Sequence, residues 1–277
     1  MYSYHFREWL SFFYFYCIFG WCFESSYVSL KEKRLTNRGF LRGPWLPLYG
    51  SGAILVLWLT LPFQETPLLV YVVGALGATV LEYVTGETMV RLFKVRYWDY
   101  SNQRFQYKGH ICLSSSIAWG FLSLLMVYVA HQPVERFIFW MNEEVVSVLT
   151  FGITVFIVYD FSNAFRRAMD LRELLLQAEQ IRAELEQRAE EKRRLFEATA
   201  TFAKAAVEES LEERREQLSK KLEDEICQLR ERQEQVKEYM TKGAEQLLLG
   251  NPGSRFMTAL DNAGEIRERI RKRKKQQ

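Results

Sequence analysis

The chain has 277 residues, 48% of them hydrophobic, with 37 Lys+Arg, 34 Asp+Glu and a formal charge of +3. Averaged, with a mean hydropathy of −0.17, this describes a soluble protein of one or two domains. The distribution excludes that reading: residues 1–165 hold only 12 of the Lys+Arg and 11 of the Asp+Glu but all seven tryptophans.

Five apolar runs follow in chain order: Phe12–Leu30, Trp45–Leu61, Leu68–Val90, Ile111–Ala130 and Val145–Phe165. Each is close to the roughly 20 residues that cross a bilayer as a helix. The expectation is an all-α, five-span transmembrane bundle over residues 1–165. The first run is too long for a cleavable signal peptide and lacks a basic n-region and a small-residue cleavage site, so none is expected. Glu24 lies inside this first run, where a carboxylate is costly and usually faces a partner or cavity.

Between runs one and two stands NRGFLRGPWLPLYGSG, residues 37–52. Its four glycines and two prolines do not suit a helix, and Trp45, Leu46 and Leu48 do not suit an ordinary loop. Non-helical backbone at membrane depth survives only when buried in protein or lining a cavity. The segment therefore reads as a re-entrant turn that helps build a polar site, or as a tightly packed connector. Asn37, Arg38 and Arg42 lie in it, and either Glu24 or Glu82 is expected to pair with Arg38 or Arg42.

Run three carries Glu82 and Glu87; Glu82 is expected to be buried and Glu87 to reach headgroups. The next loop reads RYWDYSNQRFQYKGHICLSSSIAWG, residues 96–120. Tyr97, Trp98 and Tyr100 suit an interface, and Asp99, Ser101 and Asn102 suit a side-chain-bonded turn. His110 precedes run four, and Ser114, Ser115 and Ser116 suit close packing or a polar lining. Asp160, near the end of run five, reads as an interfacial carboxylate.

Basic residues mark orientation. Lys31, Lys33, Arg34, Arg38 and Arg42 precede run two, and Arg91, Lys94, Arg96, Arg104 and Lys108 precede run four, while 62–67 has no basic residue and 131–142 has Arg136 alone. Positive-inside counting then puts the N-terminus outside and both basic loops and the C-terminal tail in the cytoplasm of a cell membrane.

From Asn163 to Lys242 the chain has neither Gly nor Pro, and good helix formers dominate. Residues 166–248 read as one long helical, coiled-coil tail of about 80 residues and roughly 120 Å if straight. Heptad positions fall at Leu174, Ala178, Ile181, Leu185, Leu195 and Phe202, then at Leu222, Ile226, Leu229, Val236, Met240 and Leu247. The two registers break within 207–217. The tail could dimerise, pair with a helical partner, fold back as a hairpin, or stay a single solvated helix. Residues 249–277 form a Gly/Pro break followed by an amphipathic segment with Phe256, Met257, Leu260, Ile266 and Ile270. Its basic end suits anionic membrane lipid, and no nucleic-acid partner is expected.

No phosphate-binding loop, nucleophile elbow or HExxH pattern occurs, and the four cysteines have no metal-ligand spacing. No catalytic residue, metal or cofactor is therefore assigned. The candidate polar site gathers Glu24, Asn37, Arg38, Arg42, Glu82, Asp99, Asn102 and His110 at one membrane face.

FGWCFES, NRGFLRGPWLPLYGSG, LEYVTG and YWDYSNQRF…GHICL…AWG, in that order, resemble the putative type IV ABC-transporter permease family of bacterial multipass membrane proteins. The resemblance covers roughly residues 10–165. The family pattern has Arg where His110 stands, and the long tail is not part of its core. The resemblance implies a permease-like transport component relying on a separate ATPase. A membrane-anchored coiled-coil scaffold or sensor, and a membrane-embedded lipid-modifying enzyme, are the alternatives that the residues themselves leave open.

Overall fold

The computed structural model describes residues 4–202, 209–257 and 263–276. They form two compact units: one of the residues up to Met169 with Gln246–Arg255, the other of Asp170–Glu245 with the residues from Phe256 onward.

The first unit is a helical bundle: α1 (Phe6–Glu32), α2 (Pro47–Thr60), α3 (Pro67–Phe93), α4 (Leu113–Leu125), a π-helical turn (Met126–Ala130), α5 (His131–Trp140) and the start of α6 (Glu143–Phe202). Pro47 and Pro67 open α2 and α3, where the missing N–H is no loss and the fixed φ is already helical. α1 and α3 end on lysines in the left-handed region, Lys33 at φ 52° and Lys94 at φ 57°. Lys31 and Arg91 in those last turns complement the helix dipole.

Among the described residues, three helical stretches are long and apolar enough to cross a membrane: Pro67–Phe93, Leu113–Trp140 and the apolar part of α6. α2 with its 3₁₀ extension, Pro47–Phe63, is apolar but shorter. α1 has the length, 27 residues, but its tyrosines, serines and Glu24 dilute its apolar character. The five-span expectation thus meets three helices that qualify on length and composition. Phe151, Val155, Phe156 and Tyr159 point outward from α6 and Leu76 and Val80 from α3, as lipid-facing positions would.

The core of this unit is built on Phe12, Leu57 and Val70, all fully buried, with Tyr16, Ala53, Val127, Val134 and Ile138. α1 and α2 approach closely at Gly50: a Cβ there would lie 2.4 Å from Cys17 Sγ and 2.7 Å from the Phe13 carbonyl oxygen. Between α3 and α4, residues 94–112 fold into a lobe with one short antiparallel hairpin, in which Gln106 is opposite Cys112 and Tyr107 opposite Ile111.

α6 does not stop at residue 165. It runs unbroken to Phe202, because nothing after Gly152 interrupts it. The second unit holds its charged portion, α7 (Glu209–Gly243) and α9 (Ala263–Gln276). Arg188 pairs with Glu225 at 3.2 Å and Lys192 with Glu223 at 2.6 Å. The α7 partner number falls as the α6 number rises, so the two helices are antiparallel. In place of one helix over residues 163–242, the charged stretch lies on two. Leu175, rather than the expected Leu174, is fully buried, alongside Leu171 and Ala178, whereas Leu229, Val236 and Met240 are buried as expected. α9 buries Ile266 and Ile270 and is tied to α7 through Lys237–Glu265 and Arg269–Glu234. Leu260 and residues 207–208 of the register break lie outside the described residues, as does the side chain of Phe202. A further short helix, α8 (Glu245–Gly250), leads into the part of the chain that returns to the first unit.

Candidate functional site

The chain leaves α1 at Lys33 and comes back along it. The Thr36 N–H donates to Ser29 Oγ at 2.9 Å and the Arg38 N–H to Ser25 Oγ at 3.1 Å. Trp21 Nε1 donates to Asn37 Oδ1 at 2.6 Å, and the Leu46 N–H to the Cys17 carbonyl at 3.0 Å. Residues 17, 21, 25 and 29 are spaced by four and so form one stripe on α1, covering about 18 Å of helix. The Gly/Arg segment is therefore a returning strand of irregular backbone with its polar groups bonded to α1. Gly39, at φ +114°, supplies a conformation that a Cβ would oppose. Asn37 Nδ2 closes the turn on the Arg42 carbonyl at 2.6 Å. Arg42 itself has an exposed side chain; its N–H and that of Gly43 donate to the carboxylate of Asp160, at 3.3 and 2.7 Å. Asp160 thus acts as a backbone anchor, a role that an interfacial reading of this residue did not anticipate.

Within this frame Arg38 Nε donates to Glu24 Oε2 at 3.3 Å, and Tyr49, from the first turn of α2, donates to the other Glu24 oxygen. The expected carboxylate–arginine pair is Glu24–Arg38. Glu82 is not in it. Only 6% exposed, Glu82 accepts from Tyr100 Oη at 3.0 Å, Trp119 Nε1 at 3.1 Å and Ser115 Oγ at 3.3 Å. Among the described residues no lysine or arginine pairs with it; three neutral donors take that place. The Tyr100 phenol is held protonated, first by burial and then by the neighbouring charge of Glu82.

The 94–112 lobe is organised by Arg96. Its Nη1 donates to Asp99 Oδ1 at 2.9 Å and its Nη2 to the Lys108 carbonyl at 2.9 Å. Burial works to raise the Asp99 pKa, but the hydrogen bonds from Ser101 and Arg96 outweigh it and hold the carboxyl below its usual value. His110 is 2% exposed, with Nε2 3.3 Å from Glu87 Oε2 and its ring against Gly86. Burial lowers the imidazole pKa, Arg96 adds to the effect, and Glu87 opposes it. A neutral ring with its proton on Nε2 fits these contacts, leaving Nδ1 without a donor. Glu87 is also bound by Arg91 at 2.6 Å. Asn102 is exposed on the lobe and is not brought to the carboxylates.

A second polar cluster, which the sequence did not single out, lies toward the opposite end of the helices. Tyr4 donates to Glu135 Oε1 at 2.7 Å, so its oxygen is left to accept from His131 Nε2 at 3.2 Å. Tyr16 then donates to His131 Nδ1 at 3.0 Å. His131 directly follows the π-helical turn, a distortion often found at functional positions.

Chemically, the first cluster has two carboxylates of different character. Glu24 is a charged group with a guanidinium partner. Glu82 is held by neutral donors alone, from Tyr100, Ser115 and Trp119. No group of three or more His, Cys, Asp or Glu with metal-holding geometry occurs among the described residues.

Residues 11–165 match the model of a family described as Putative ABC-transporter type IV. The match takes in more than half of the chain and every residue of the Glu24 and Glu82 clusters. Comparison with curated proteins found no match, and comparison with solved structures found none.

Proposed function

Because the chain belongs to the Putative ABC-transporter type IV family, we propose that it is the membrane-embedded, permease-like component of a transporter driven by a separate ATPase subunit. On this reading residues 1–165 cross the cell membrane five times, α1 and α2 included, with the N-terminus outside and the charged helices in the cytoplasm. The cargo path runs past the Glu24–Arg38 pair and Glu82.

The observation that carries the proposal is the caged Glu82. A buried carboxylate without a cation is expensive, and three donors from the lobe and α4 hold it. A purely structural helix contact does not require an ionisable group there. Intramembrane carboxylates that face protein typically mark ion or proton paths. The chain's lack of a nucleotide-binding loop fits a subunit that borrows its ATPase. Purification in mild detergent, followed by identification of what is retained, tests the partner. Uptake assays in cells carrying Glu82→Gln at normal expression test the path. An ATPase that co-purifies and uptake that falls support the reading; unchanged uptake of every candidate substrate counts against it.

A scaffold or sensor is the second reading. It is favoured by α6, which runs without a break from an apolar to a charged half. If truncation after residue 170 leaves the cellular phenotype intact, this second reading fails.

A further inference from the structure

Residues 246–255 pack within the first unit, although they lie far beyond the span that matches the family. They sit on the returning segment. Arg34 Nη2 donates to the Leu249 carbonyl at 2.7 Å and Arg38 Nη1 to the Gly250 carbonyl at 3.2 Å. Gln246 Nε2 donates to the Leu41 carbonyl at 2.9 Å, and Arg255 pairs with Asp99 at 3.0 Å. Leu248, Asn251 and Ser254 are at most 2% exposed, so the segment is seated rather than draped.

The acceptors facing Arg34 and Arg38 are the last carbonyls of α8. Such carbonyls have no partner within their helix and carry the negative end of its dipole. They resemble an anion while being neutral groups. A guanidinium fork makes hydrogen bonds about twice as strong to a phosphate or carboxylate oxygen as to a neutral acceptor, and its planar donors match oxyanion geometry. Glu24 offsets one of the two arginine charges, which leaves a single positive charge for a ligand. Arg255 and Asp99 fasten the far end of the segment, so release of α8 does not require that the whole segment leave.

We propose that Arg34 and Arg38 form an oxyanion site for a phosphate-type group, and that residues 246–250 of α8 are its displaceable internal occupant. The phosphate can be that of an anionic lipid or a soluble one. The inference does not depend on the transport reading, since it concerns only what the two arginines hold.

Hydrogen–deuterium exchange on the full chain tests it. The protein is placed in nanodiscs of phosphatidylcholine, in nanodiscs that also contain phosphatidylglycerol, and in phosphatidylcholine nanodiscs with inorganic pyrophosphate. Exchange of residues 246–250 should rise about tenfold with phosphatidylglycerol or with pyrophosphate; the arm that responds identifies the source. Arg34→Gln should abolish the response and Arg34→Lys should weaken it. Gly250→Val, whose Cβ would meet the Asn37 carbonyl oxygen at 2.6 Å, should free residues 246–250 without ligand and tighten binding of the responding probe. The proposal is overturned if neither anion changes exchange of residues 246–250 in the wild type, or if Arg34→Gln responds as the wild type does.

Discussion

Arg38 and Glu24 stand 3.3 Å apart although the chain between them leaves α1, turns at Lys33 and runs back. The pair ties the returning segment to the helix it came from. In a double-mutant cycle with Glu24→Gln and Arg38→Gln, the coupling should be on the order of 1 kcal/mol, within the 0.5–3 kcal/mol range for contacting residues. The same cycle with Glu82→Gln and Arg38→Gln should give a value near zero. Chemical or thermal unfolding in detergent measures both.

Glu82 and its cage make a separate prediction. Glu82→Leu leaves the Tyr100 hydroxyl and Trp119 Nε1 without their acceptor, whereas Ser115 can turn its one proton wholly to the Cys112 carbonyl, 2.9 Å away. A stranded buried donor costs about 1–3 kcal/mol, so two should lower the unfolding midpoint by several degrees. Glu82→Gln retains one oxygen and should cost less than half as much. If the two substitutions destabilise equally, the cage is not what holds this residue.

How far the residues alone reached can be judged at these two carboxylates. A charge in an apolar run is visible in sequence, so Glu24 and Glu82 stood out, and glycines and prolines between apolar runs marked the returning segment. The partners did not stand out. Tyr49 opens run two, Tyr100 lies in the loop and Trp119 lies within run four, and composition cannot separate an apolar or interfacial aromatic from a hydrogen-bond donor; only the tertiary approach of the lobe and α4 to α3 decides. The role of Asp160 as an acceptor was hidden for the same reason, since its donors are backbone amides 117 and 118 residues away. The fold-back of the charged helices was one of several arrangements that heptads permit, because heptads specify a seam and not its partner.

Acid should loosen the 94–112 lobe in two steps. His110 has a folded pKa below its ordinary 6.5, so the unfolded chain takes up a proton that the folded lobe refuses, and stability falls as pH drops below that ordinary value. Asp99 has a folded pKa below its ordinary 3.8; its contribution is present above that value and is lost as pH falls through the lowered one. Exchange rates of the lobe amides, corrected for intrinsic pH dependence, should show the first step, and His110→Gln should remove it while leaving the second.

Two glycines on α2 should respond in opposite ways. Gly50→Ala places a methyl 2.4 Å from Cys17 Sγ and against the α1 backbone, and such overpacking costs about 1–3 kcal/mol. At Gly52 the nearest atom, Leu81 Cδ2, is 3.9 Å away, so alanine fits and gains up to about 1 kcal/mol of helix propensity. Thermal unfolding of the two variants side by side checks the sign of each.

The stripe on α1 also sets a timetable. Four of the segment's bonds need α1 already helical, so that template can exist soon after residue 46 is made. The latch on Arg42 and Gly43 is Asp160, more than a hundred residues later in synthesis. Until α6 emerges, the segment is held along one edge only, and its apolar residues wait beside an unfinished bundle. Contacts this distant in sequence form slowly. A ribosome stalled before residue 160 should therefore display a segment that proteases still cut, and one stalled well beyond it should display a segment they do not.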